Sequence, residues 1–220
     1  MPRYLVLGLC LAAPFALADP DTPANDHDLA YSLGASLGER LRAEVPGLQL
    51  DALLEGLRQA YQGQPLKLEK PRMQAILQQH EEQANAAAEQ AEIERLQADE
   101  KRFMASERAR AGMHELDGGI LYTELARGNG NAPRAGGKVQ VRYVGKLPDG
   151  SVFDQSLQPQ WFSLDSVIEG WQAALPRMKA GAKWRLVIPS AQAYGAEGAG
   201  DLIAPYTPLV FEIELLAVAN

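Results

Sequence analysis

A chain of 220 residues holds one large domain or two small ones, and 46% hydrophobic with 22% charged residues is an ordinary globular composition. These proportions exclude collagen, wholesale disorder and a multi-span membrane protein. A formal net charge of −7 argues against a nucleic-acid partner, because phosphate binding needs a basic surface.

Arg3 opens the chain, residues 4–17 are almost continuously apolar, and Ala16-Leu17-Ala18 puts small residues where a signal peptidase reads. The run falls short of the roughly 20 residues a membrane span takes. A signal peptide of residues 1–18 is expected, and with it export to the periplasm, from where the outer membrane or the exterior stay open. Cys10 follows the large Leu9, where a lipoprotein would have a small residue, so no lipid anchor is expected. Cleavage after Ala18 leaves no cysteine and 20 basic against 28 acidic side chains, a net charge of −8. Thiol chemistry and Cys-based metal sites are thereby excluded.

After a polar leader with Pro20 and Pro23, Leu29, Leu33, Leu37 and Leu41 recur at helical spacing beside Gly34 and Gly38. Past Val45-Pro46-Gly47, Leu50, Leu53, Leu54, Leu57 and Tyr61 form a second apolar face, with Asp51 placed to cap it. Two short amphipathic helices cannot bury a core alone, so a second copy of the chain is the expected partner. From Pro71 to about Arg110 the chain is rich in Ala, Gln, Glu and Arg, and predicts a helix of roughly 60 Å. Apolar residues cluster only at its ends (Met73, Ile76 and Leu77; Leu96, Phe103 and Met104), which predicts a solvated spacer that stops near Gly112.

Beyond Gly118-Gly119 the period changes to two. Val139, Val141 and Tyr143 alternate with Gln140, Arg142 and Val144, Pro148-Asp149-Gly150 makes a turn, and Val152-Phe153 resumes an extended run. Trp184, Leu186 and Ile188 alternate, as do Leu209, Phe211, Ile213 and Leu215. A short helix is predicted over residues 170–175. The fold class is therefore α+β: an all-α amino-terminal region, a long connecting helix, and an antiparallel sheet wrapped on a short helix.

Ordinary catalytic apparatus is missing from the sheet-forming part. His27, His80 and His114 precede it and are scattered over predicted helices as surface residues; no phosphate loop, dinucleotide fingerprint or zinc spacing occurs. No cofactor and no metal are expected. Instead, Tyr143, Phe153, Trp161, Phe162, Val167, Ile168, Trp171, Tyr194, Ile203 and Phe211 crowd near turns. Spacing alone does not separate a hydrophobic core from a pocket here.

Residues 141–154 (VRYVGKLPDGSVFD), 167–171 (VIEGW), 193–195 (AYG) and 208–216 (PLVFEIELL) resemble, in order, the FK506-binding-protein family of prolyl isomerases. Residues 31–38 (YSLGASLG) are similar to the dimerisation region of its bacterial macrophage-infectivity-potentiator type. The resemblance implies a helical dimerisation domain at 19–70, a connecting helix at 71–112 and an isomerase domain at 113–220. It implies that Tyr143, Phe153, Asp154, Ile168 and Tyr194 act in catalysis and that Val167, Trp171, Ile203, Phe211 and Trp161 bind substrate. Trp171 would floor the prolyl site, while the Ile168 N–H and the Tyr194 hydroxyl would hold carbonyls. Asp154 would act either electrostatically or as an anchor for a neighbour. Implied partners are X-Pro-containing or unfolded polypeptides, a second copy of the chain, and macrolide inhibitors of the FK506 type. Gln160 stands where many members have an aromatic residue, and Ala204 where Gly or Pro is frequent. The alternative functions are a non-enzymatic dimeric holdase and a surface interaction module using the same apolar cleft.

Overall fold

The computed structural model describes residues 25–219; the expected signal peptide lies outside them. The chain divides into two compact units between Ala75 and Ile76.

The first unit contains helix α1, Asp26–Glu44, and helix α2, Leu50–Tyr61. Asn25 caps α1, its side chain accepting the Asp28 N–H at 2.8 Å, and Asp26 and Asp28 place negative charge at the positive end of the helix dipole. Gly47, at φ +84°, turns the chain between the helices. The cap of α2 differs from expectation: Gln49 occupies that position without a side-chain bond, and Asp51 lies inside the first turn. There its carboxylate meets the helix dipole rather than a particular N–H. Neither helix has a buried residue, and Leu33 and Tyr61 are 64% and 91% exposed.

Helix α3, Lys70–Arg108, runs into the second unit, where it is followed by β1, His114–Glu115, and β2, Leu121–Ala126. Then come β3, Lys138–Lys146, β4, Val152–Ser163, helix α4, Glu169–Ala174, β5, Lys183–Ile188, and β6, Leu209–Ala219. The six strands form one antiparallel sheet in the order β1-β2-β5-β6-β3-β4. His114 thus sits on an edge strand, not a helix, its ring 5.2 Å from that of Tyr122.

Strand β4 is an edge strand with a deep bulge: its pairing with β3 jumps from Gln160 opposite Val141 to Ser156 opposite Tyr143. Pro159, which has no N–H to give a ladder, lies in the segment that loops out, and the Ser156 hydroxyl closes it by donating to the Gln158 carbonyl at 2.9 Å.

One sheet face buries Val139, Val141, Leu186, Ile188, Ile213 and Leu215 against α4 and the turn that follows it. Gly170 sets that packing distance, since a Cβ there would stand 2.4 Å from Cγ2 of Ile188. On the other face Met104 of α3 packs with Leu121, Val187 and Val210. Val187 and its neighbours Leu186 and Ile188 therefore point to opposite sides, as a strand requires.

The last turns of α3 are thus not a solvated spacer. Glu107, 3% exposed, accepts two bonds from the Arg185 guanidinium, at 2.6 and 3.1 Å. Burying a carboxylate is tolerable only with such pairing. A helix that is polar in its middle is therefore held at its end by a methionine and a buried ion pair.

Candidate active site

A cleft of about 420 Å³ opens between α4, the bulged β4 and the loop after β5. Trp171, in the first turn of α4 and 4% exposed, is its aromatic centre. Three rings meet it edge to face: Tyr143 from β3 with centroids 5.1 Å apart, Phe211 from β6 at 5.3 Å, and Phe162 from β4 at 5.9 Å. That geometry sets ring edges against π faces and locks the aromatic positions. Phe153 extends the wall, 5.6 Å from Phe211. The pair fits because position 145 on β3 is glycine; a Cβ there would stand 2.8 Å from Phe153 and 2.9 Å from Phe211. Trp171 Nε1 is buried with no hydrogen-bond partner among the described residues.

Polar groups are few and specific. The Tyr143 hydroxyl donates to Oδ2 of Asp154 at 2.6 Å. Burial, and then the hydrogen bond and charge of Asp154, hold the Tyr143 phenol well above the ordinary tyrosine range. It is therefore a hydroxyl donor at any physiological pH. Ile168 precedes α4, and its carbonyl accepts the N–H groups of Trp171 and Gln172 at 2.9 and 3.2 Å. Its own N–H and the hydroxyl of Tyr194 make no hydrogen bond within the protein among the described residues, and both residues line the cleft. Gln172 Nε2 donates to the Val167 carbonyl at 2.8 Å and holds Val167 at the rim. An apolar floor with two unpaired donors suits a ligand that is hydrophobic at one point and carries carbonyls on either side.

Eight of the ten residues that the resemblance assigns to catalysis or substrate binding line this cleft: Tyr143, Phe153, Asp154, Val167, Ile168, Trp171, Tyr194 and Phe211. Ile203 does not line it; at 4% exposed it packs into the core cluster that supports Trp171 and Phe211. Trp161 is 47% exposed and pairs with Gln140 on the strand, and stands outside the cleft. The cleft takes Phe162 instead, and it also takes Ser166, which nothing in its residue type or spacing marks. Among the described residues no group of three His, Cys, Asp or Glu side chains could hold a metal ion.

A bulged antiparallel sheet thus closes over one short helix, with an aromatic cleft between them. The family model described as FKBP-type peptidyl-prolyl cis-trans isomerase matches residues 129–216, and that of the domain amino-terminal to such isomerases matches residues 26–123. A Pseudomonas aeruginosa protein named as a probable FKBP-type 25 kDa peptidyl-prolyl cis-trans isomerase is 54% identical over 98% of this chain and 91% of its own length. The Coxiella burnetii peptidyl-prolyl cis-trans isomerase Mip is 34% identical over 98% and 96%. The crystal structure of Escherichia coli FkpA superposes with a TM-score of 0.56 at 35% identity, covering 89% of this chain and 97% of that one. The chain belongs to the FKBP-type peptidyl-prolyl cis-trans isomerase family, in its Mip and FkpA subfamily.

Proposed function

We propose that this isomerase turns X-Pro bonds inside the aromatic cleft, with the prolyl ring on Trp171 and the flanking carbonyls on the Ile168 N–H and the Tyr194 hydroxyl. The observation that carries the reading is the pairing of a floor of edge-to-face rings with two donors left unpaired.

Rotation about a peptide bond must break amide resonance, a barrier of about 18–20 kcal/mol. No covalent step is needed. The planar amide is the more charge-separated form, so an apolar surround disfavours it relative to the twisted one. Donors fixed where the twisted amide puts its carbonyls then bind the transition state better than either ground state. Asp154 contributes negative charge beside the site and keeps the Tyr143 phenol oriented. Slow X-Pro exchange limits folding, so the physiological substrates are folding polypeptides.

Four further parts belong to the proposal. Residues 1–18 direct export, a reading supported by the basic start, the apolar run and the small residues at 16 and 18. Residues 19–70 dimerise the protein, supported by the exposed leucine faces of α1 and α2. The dimer also shields unfolded clients, and macrolides of the FK506 type occupy the prolyl cleft.

The test is prolyl isomerisation by residues 19–220 beside a folded Phe153→Ala variant. The expected result is clear acceleration that falls about tenfold in the variant, equivalent to about 1.4 kcal/mol of barrier. A folded wild type inactive on several X-Pro peptides would move the function to client binding alone.

A further inference from the structure

We propose that Glu100, on the long helix α3, is a positioning residue for isomerisation that acts through the loop carrying Tyr194. The inference rests on the reading that Tyr194 contacts substrate. Its ground is an unbroken run of hydrogen bonds from the helix to that loop. Glu100 Oε1 accepts the Ser190 backbone N–H at 2.6 Å, and Oε2 accepts the Ser190 hydroxyl at 2.8 Å. Ser190 is 3% exposed, so water cannot readily replace either bond. The Ser190 carbonyl in turn accepts the N–H groups of Ala193 and Gly195, both at 2.8 Å. Those are the two residues that flank Tyr194. Gly195, at φ +59°, makes the tight turn beyond it, and its carbonyl accepts the Tyr206 N–H at 2.9 Å.

Glu100 itself lines a different hollow, beside Leu96, Phe103 and Leu202, and has no place in the wall of the aromatic cleft. Its influence on the reaction therefore travels through Ser190. A carboxylate accepting two bonds from one residue is a strong, directional clamp. Without it, two buried donors are left unsatisfied and the turn relaxes toward solvent. Small displacements of a group aimed at the reacting bond are costly for catalysis.

The experiment measures kcat and KM on an X-Pro peptide with the full mature chain. It uses Glu100→Ala, Tyr194→Phe, their combination, and Glu100→Gln, each checked by thermal melting. Glu100→Ala is expected to lower kcat by about tenfold with KM changed by less than about twofold. Glu100→Gln, which keeps an oxygen for the Ser190 N–H, recovers most of the loss. In the Tyr194→Phe background the same alanine change costs less than about twofold, because the group it positions is gone. An equal factor in both backgrounds, or full activity of Glu100→Ala, overturns the positioning while leaving the reading of Tyr194 intact. Full activity of Tyr194→Phe overturns that reading and the positioning with it. If Glu100→Ala does not fold, Ser190→Ala, which removes only the hydroxyl bond, takes its place in the cycle under the same criteria.

Discussion

Tyr143 on β3 and Asp154 on β4 are joined across the antiparallel pair by a 2.6 Å hydrogen bond from phenol to carboxylate. The bond makes Asp154 an anchor for the phenol, and the proposed electrostatic role separates from that anchoring in Asp154→Asn. The amide keeps an acceptor for the phenol and loses the charge. We expect this variant to melt close to wild type and to lose roughly tenfold in kcat/KM, as removal of an electrostatic contributor does. Full activity would confine Asp154 to holding Tyr143.

The same phenol predicts an alkaline effect on stability. Its proton is held more tightly in the fold than in the unfolded chain, chiefly by burial and then by Asp154. A raised folded value stabilises the protein fully below the unfolded value of about 10, and this contribution is lost as pH climbs beyond it. The difference in denaturant midpoint between wild type and Tyr143→Phe should therefore be constant from about pH 7 to 9 and shift against wild type above about 10. A flat difference up to the highest accessible pH would mean that the phenol is no better protected than in the unfolded chain.

Gly170 holds α4 against β5 by lacking a side chain. Gly170→Ala sets a methyl group 2.4 Å from Ile188 Cγ2, and overpacking of this kind costs about 1–3 kcal/mol. The displaced helix carries Trp171, so activity should fall along with the melting temperature. Adding Ile188→Ala should restore part of the activity, since it removes the clash. Losses that merely add would place the effect elsewhere.

Glu107→Ala leaves Arg185 without its carboxylate partner in a poorly solvated site. Breaking a buried pair from one side costs about 3 kcal/mol or more. Chemical denaturation should register that loss, whereas Glu92→Ala, made at an exposed pair on the same helix, should leave the midpoint essentially unchanged.

How much of this was legible beforehand depends on the distance over which each residue acts. The strands around Tyr143, Leu186 and Phe211 announce themselves by alternation, because every second residue of each packs on the core beneath α4. Strand β2 gives no such pattern: Leu121 is buried on the α3 side, Tyr122 stacks on Trp184 with centroids 4.2 Å apart, and both faces are thus partly covered. Trp161 and Phe162 are adjacent aromatic residues, and which one enters the cleft depends on the register across the β4 bulge, set by strand pairing rather than by residue type. Glu100 and Glu107 look like any other glutamate in a helix full of them. Their partners lie 90 and 78 residues away, and only folding shows that these two, and not Glu92 or Glu94, are structural.

The anchoring of α3 also governs how the molecule can be cut. Met104, Glu107 and Glu100 are as much part of the sheet's packing as the strands are. A protease that severs the exposed alanine-rich middle of the helix would release an isomerase body still wearing its last few helical turns. A fragment beginning after Arg108 would instead bare Leu121, Val187 and Val210 to water and strip Arg185 of its counter-ion. A fragment that keeps all of these contacts therefore starts upstream of Glu100, well inside a helix whose exposed middle looks like a mere connector.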